Sequence, residues 1–179
     1  MSSRIDPGAR RDVGTLAWVI AVVSGRVAGT GPPNLFRVLG RHRKLFRGWL
    51  RFAGRLMPGG TLPRRETELV ILRVAHLRGC DYELEHHVRL GRRAGVTPAD
   101  VARVQEGPDA QGWTEREAVL LATADELHET GDLSDESWAD LRAHVDPQRA
   151  IELVMLVGHY EMLATTITAL RIPLDRPRR

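Results

Sequence analysis

The sequence predicts an all-α fold. Strand signals are nearly absent, apolar residues recur at helical spacing along most of the chain, and helix start and stop residues punctuate it at short intervals. The 179 residues, 42% of them hydrophobic, suffice for one domain with a real core. No internal repeat or low-complexity block is present.

Taken in order, residues 1–12 read as a weakly anchored arm and Val13 to Val27 as an apolar helix. Gly29 to Pro33 is a breaker cluster. Asn34 is placed to cap a helix running to about Leu56, with Leu35, Phe36, Leu39, Phe46, Trp49, Leu50 and Ala53 on its apolar side. Met57-Pro58-Gly59-Gly60 ends that helix. Pro63, in a favourable first-turn position, opens the next, which Gly79 stops. A helix beginning near Asp81 ends at Ala94-Gly95. Thr97 followed by Pro98 starts a short helix over Ala99 to Gln105. Thr114-Glu115-Arg116-Glu117 is a capping box for a helix to about Thr130. Ser134 caps another to about His144, and Asp146-Pro147 opens a last helix to about Leu170. The apolar residues of that last helix run almost all round, the pattern of a helix enclosed in a core or an oligomer interface. The expected organisation is a helical core over residues 62–175 with a helical extension, residues 1–61, in the same domain.

The single cysteine, Cys80, rules out an intramolecular disulfide. The early apolar run Leu16 to Val23 lacks a cleavage site and falls well short of the roughly 20 residues that span a bilayer. A cytoplasmic protein without membrane contact is the expectation. Net charge is +3, but residues 1–65 hold 13 basic and 2 acidic residues while residues 66–179 hold 13 basic and 21 acidic. Arg37, Arg41, Lys44, Arg47, Arg51 and Arg55 recur at near-helical spacing as a positive stripe. The preferred reading is a solvated face, or one docking on acidic helices of the same or a neighbouring chain. With one lysine in the whole sequence, and no helix-turn-helix or aromatic RNA motif, no nucleic-acid partner is expected.

Titratable groups crowd one otherwise apolar stretch, Glu68 to His87 (ELVILRVAHLRGCDYELEHH). On a helix from Cys80, a turn of about 100° per residue brings Cys80, Glu83 and His87 to one face. A carboxylate and an imidazole one turn apart in a partly dry site form a charge-assisted hydrogen bond, which raises the His pKa while burial lowers it. His87 is then a proton-shuttle candidate. Cys80 at a helix start feels a dipole that favours thiolate. Glu83-Leu-Glu-His86 has the Glu-x-x-His spacing of di-iron bundles, but no second copy occurs, so neither metal nor cofactor is expected.

The stretch resembles the carboxymuconolactone decarboxylase family, which includes the alkylhydroperoxidase D-like proteins. Redox members carry Glu, eleven residues, Cys-x-His-Cys, three residues, His; Glu68, Cys80 and His87 match, whereas Tyr82 and Glu83 stand where a histidine and the second cysteine would. LPRRETELVILRVAHLRGC, HVRLGRRAGVTPADV and IELVMLVGHYEMLATTITALRIPLD also look like the family, from about Leu62 to Asp175. Disulfide-based peroxide reduction needs two thiols, and one is present. Glu83-Leu-Glu-His-His87-Val-Arg89 looks like the decarboxylase side of the family.

The resemblance implies an alkylhydroperoxidase D-like helical domain of about 6–8 helices, a homo-oligomer (dimer, trimer or hexamer), and cofactor-free acid/base chemistry on a small lactone or carboxylated substrate. His87 is then the general acid or base, Glu83 its orienting or partner base, Glu68 a second carboxylate and Tyr82 an oxyanion donor. Arg73 and Arg89 are anchor candidates that also have Glu68 and Glu85 as local partners, and His159 and Tyr160 are candidate pocket residues. Two alternatives remain open: an antioxidant of the alkylhydroperoxidase or peroxiredoxin type, using Cys80 with an external thiol, and a non-catalytic helical oligomer.

Overall fold

The structure is a computed structural model and describes residues 2–177. It is all-helical, as expected: ten α-helices and one 3-10 turn, with an isolated bridge between Thr30 and Pro177 as the one β pairing among the described residues. Contacts divide the chain into two units, one of residues up to Arg55 together with those from Thr165 onward, the other Leu56–Ala164.

The first unit contains α1 (Arg10–Val13), α2 (Thr15–Ala28), α3 (Asn34–Leu39) and most of α4 (Arg43–Leu56). The helix expected over 34–56 is interrupted near Gly40, and the end of the expected arm forms the short α1, which is why the count exceeds 6–8. Gly14, at φ +87°, parts α1 from α2. The chain turns at Gly40, where a Cβ would press on the Phe36 carbonyl and the Val13 side chain. Asn34 is not a cap. It is the first residue of α3, and its backbone N–H donates to Asp175 Oδ1 at 2.7 Å, so a carboxylate 141 residues away does the capping.

The amino-terminal arm is also better held than expected. Arg4 donates through its backbone N–H to the Leu170 carbonyl and through Nη1 to that of Ala169. Arg37 reaches the carbonyls of Gly8 and Pro7, and Arg41 that of Asp6. Two arginines of the positive stripe therefore clamp backbone. Phe36, Phe46 and Trp49 form an aromatic cluster with ring centroids 5.5–5.6 Å apart.

The second unit holds α5 (Arg64–Leu77), α6 (Asp81–Gly91), the 3-10 turn Arg92–Ala94, α7 (Pro98–Glu106), α8 (Glu115–Thr130), α9 (Asp135–His144) and most of α10 (Pro147–Leu170). Thr97, Thr114 and Ser134 each cap as their sequence predicts, accepting from the N–H three residues on. Pro63 lies one residue before the first helical position.

The enclosed helix is α5. Its residues from Thr67 to Ala75 are all buried, and α6, α7 and α8 pack on it. Leu69, Val70, Ile71 and Leu72 are almost completely shielded, and such side chains stabilise by roughly 1.5–3 kcal/mol each. By contrast α10, whose sequence fits a core or an oligomer interface, is two-faced within the chain. Leu153, Leu156, Val157 and Leu163 are buried, while Ile151, Val154, Met155 and Met162 are exposed. This helix has the length and apolar composition to cross a membrane, a property it shares with core helices that bury one face as it does.

Candidate active site

Gly79, at φ +56°, makes the tight turn that sends α6 back along α5. This return brings together two residues 19 apart: Glu68 Oε2 lies 2.7 Å from His87 Nδ1. On the other edge of the ring, His87 Nε2 lies 3.3 Å from Glu83 Oε2, one helical turn back. Glu68, His87 and Glu83 are 0%, 2% and 3% exposed. An imidazole thus sits between two carboxylates inside the protein.

Burial alone lowers the His87 pKa, but hydrogen bonds and charge from Glu68 and then Glu83 outweigh it and raise the value to about 9. At neutral pH His87 is an imidazolium, both of its N–H groups turned toward carboxylates. His86 and His159 respond oppositely, each lowered to about 4 by desolvation and then by the charge of His87. They remain neutral. Rings continue on both sides of His87: His86 at 5.5 Å and Tyr160 at 5.1 Å between centroids, with His159 beyond Tyr160 at 5.2 Å.

Two oxygens in the cluster stand out. Glu83 Oε1 is buried with no hydrogen-bond partner. The Tyr160 hydroxyl is also buried, and the acceptor for its O–H is the weak one of Met57 Sδ at 4.0 Å. Burial first, then the charges of Glu83 and Glu68, hold the Tyr160 pKa well above its ordinary value, so it is a phenol with a proton to donate. Tyr82, the oxyanion donor expected from sequence, is stacked on His86 at 6.4 Å and is one ring further from His87 than Tyr160.

Cys80 precedes α6 and is 4% exposed. Desolvation pushes its thiol pKa up and the charge of Glu83 adds to this, while the N–H groups of Glu83 and Tyr82 oppose it only in part. The thiol is the ground-state form.

The two arginine candidates do not join the cluster. Arg73 donates bidentately to Asp125 at 2.6 and 2.7 Å, and its third nitrogen donates to the carbonyls of Val104 and Gln105. Gly107, at φ +111°, lies so close that a Cβ there would be 3.3 Å from Arg73 Nη2. Arg89 pairs with Glu85 at 3.6 Å, one of the local partners its sequence offers. The cation that does touch the cluster was not singled out by sequence: Arg64 Nη2 is 2.6 Å from Glu68 Oε1. The signal for it was the i, i+4 spacing of Arg64 and Glu68 on the first turn of α5. In the sequence His86 reads only as a metal-ligand candidate, whereas its ring lies against His87.

The architecture and this buried Glu–His–Glu group are those of an all-helical protein built to shelter ionisable side chains at the junction of α5 and α6. Residues 43–126 match the model of the carboxymuconolactone decarboxylase family, a segment that includes Glu68, Cys80, Glu83 and His87. The match covers 84 of the 179 residues, and over this segment the chain is similar to that family; its all-helical fold is the one seen in a solved alkylhydroperoxidase AhpD core.

Solved structures with this fold include an uncharacterized peroxidase-related protein with an alkylhydroperoxidase AhpD core from Ralstonia eutropha, 18% identical, with a TM-score of 0.84 over 98% of this chain and 92% of that one. Another is an uncharacterized peroxidase-related protein from Silicibacter sp., 16% identical, with a TM-score of 0.78 over 87% and 82%. A third is the debrominase Bmp8, solved as a cysteine-to-alanine variant in complex with 2,3,4-tribromopyrrole; it is 17% identical, with a TM-score of 0.83 over 97% and 92%. At these identities the likeness is one of fold. No curated protein matches the sequence.

Proposed function

We propose that this chain is a cofactor-independent acid/base enzyme, a decarboxylase-like lyase or isomerase, acting on a small lactone or carboxylated substrate in the cytoplasm. The observation that carries the reading is the partnerless, buried Glu83 Oε1 beside an imidazolium locked between carboxylates. A carboxylate oxygen that has left water and found no donor is costly in a folded protein, by roughly 1–3 kcal/mol or more. Such an oxygen is well used as a base, because the proton it takes supplies the missing partner.

In this scheme Glu83 Oε1 removes a proton from the carbon beside the substrate carbonyl. The electron pair moves onto the carbonyl oxygen, and the Tyr160 O–H stabilises the oxyanion. Return of the proton from Glu83 to a different carbon gives isomerisation. For decarboxylation, the electron pair of the broken C–C bond forms the enolate, and Glu83, having first taken a proton from solvent water, delivers that proton to carbon to complete the product. His87, held by Glu68, fixes the Glu83 carboxylate and keeps a positive charge beside it throughout.

The test is hydrogen exchange at carbon. A panel of lactones and keto acids is incubated with the protein in heavy water and followed by proton NMR. The wild type exchanges or converts at least one compound, Glu83→Gln loses that activity by about a thousandfold, at the lower end of removing an essential general base plus its charge, and Cys80→Ala retains it. Exchange surviving in Glu83→Gln removes Glu83 from the mechanism.

A thiol-dependent reading is favoured by a different observation, the N–H groups of Tyr82 and Glu83 directed at Cys80. It draws support from the fold shared with a debrominase crystallised with its cysteine replaced. In that reading activity requires an added thiol reductant and disappears in Cys80→Ala. We also infer that the chain assembles as a homo-oligomer through the exposed face of α10.

A further inference from the structure

We propose that Arg64 anchors a spectator carboxylate of the substrate and, by exchanging Glu68 for that carboxylate, opens the path to Glu83. The inference rests on the acid/base reading of the same cluster and commits it to one substrate class, small keto or enol acids with a single carboxylate that stays on the molecule.

Arg64 is the bridge between the sealed group and water. Its side chain is 39% exposed, yet its Nη2 is 2.6 Å from a carboxylate of zero exposure. That contact is ionic rather than directional, because Glu68 Oε1 remains without an aligned hydrogen bond. A guanidinium carries five N–H donors in a planar fork suited to carboxylates. Three other arginines of α5 and α8 have spent theirs: Arg65 on Glu117, Asp100 and the Gly95 carbonyl, Arg73 on Asp125, and Arg116 on Glu66. Arg64 has not.

Electrostatics set the direction and the limit of the exchange. The charge of Arg64 acts on the Tyr160 hydroxyl against those of Glu83 and Glu68, so the guanidinium lies within electrostatic reach of the same buried group. Glu68 can release Arg64 because His87 remains on its other oxygen. The two carboxylates balance the imidazolium and guanidinium before binding. One substrate carboxylate leaves a single negative excess, and a second would double it in a dry site. Because a cation stabilises the carboxylate more than neutral carbon dioxide and so opposes its loss, the single carboxylate held by Arg64 stays on the molecule, and the reaction on this substrate class is isomerisation.

Levulinate, a monocarboxylate ketone, and its methyl ester serve as probes in isothermal titration calorimetry at pH 7. Wild-type protein should bind levulinate and bind the ester at least tenfold more weakly. Arg64→Gln should weaken levulinate binding tenfold or more and leave the ester unchanged, with Arg64→Lys in between and Glu83→Gln still binding levulinate. Equal affinity for acid and ester, unaltered levulinate binding in both Arg64 variants, or no binding of levulinate at all overturns the proposal. Arg64→Lys keeps the charge on Glu68, so a folding defect confined to Arg64→Gln still leaves a decisive variant. Carbon-bound hydrogen exchange separates the two readings: Arg64-dependent binding without exchange removes the catalytic reading, and exchange insensitive to Arg64 removes the anchor.

Discussion

His87 concentrates the physical tension of this protein in one ring. Its folded pKa of about 9 lies above the ordinary 6.5, so folding favours the protonated ring. The resulting stabilisation is fully present below about pH 6.5 and is lost as pH rises through 9, a change of about 3 kcal/mol for a shift of this size. Urea unfolding of the wild type and His87→Gln between pH 6 and pH 10 checks this: the wild type should be more stable at pH 6 and lose most of its advantage by pH 10. The buried carboxylates Glu68 and Glu83 make the loss at low pH large, because removing one partner leaves charges in the interior unpaired. Sequence made Glu68, Glu83 and His87 legible through their spacing. It marked Tyr160 only as a pocket candidate and left Arg64 undistinguished, because their meaning depends on which side chains already have partners.

At the scale of helices, ends and crossings matter more than interiors. The capping boxes at Thr97 and Thr114 were readable because the cap and its reciprocal carboxylate lie three residues apart. Thr114→Ala should cost about 1 kcal/mol in urea unfolding without altering the site. Gly25 is a different kind of constraint: a Cβ there would collide with the backbone carbonyl of Gly31, which cannot rotate away. Gly25→Ala should destabilise by about 1–3 kcal/mol and lower the thermal midpoint, though alanine is the better helix former. The split of the expected 34–56 helix has the same origin. Local pattern favours continuation, and a close approach of Gly40 to Val13 decides otherwise.

For the molecule as a whole, the two apolar helices of similar appearance have opposite positions. α5 is surrounded, while α10 leaves Ile151, Met155 and Met162 exposed at 65%, 46% and 48% on spacings of four and seven. That spacing is the seam of a helix packing against another helix. Light scattering after size exclusion should show an oligomer for the wild type and a smaller species for Ile151→Glu combined with Met155→Glu, with helical circular dichroism unchanged. A wild-type monomer would remove this surface from the account. The positive stripe belongs to the same scale: Arg37 and Arg41 hold the amino-terminal backbone, work that a charge count cannot distinguish from ligand binding.

The sequence by itself determined the all-helical class, most helix boundaries from Pro63 onward, and the carboxylate–histidine character of the site, because caps, breakers and i, i+4 spacings act over a few residues. Only the tertiary structure decided that Glu68 closes on His87 across the Gly79 turn, that Arg73 is occupied by Asp125, that Arg64 and Tyr160 face the cluster, and that α5 rather than α10 is enclosed. Those outcomes depend on desolvation and on competition among donors for acceptors distant in the chain, neither of which is written in local spacing.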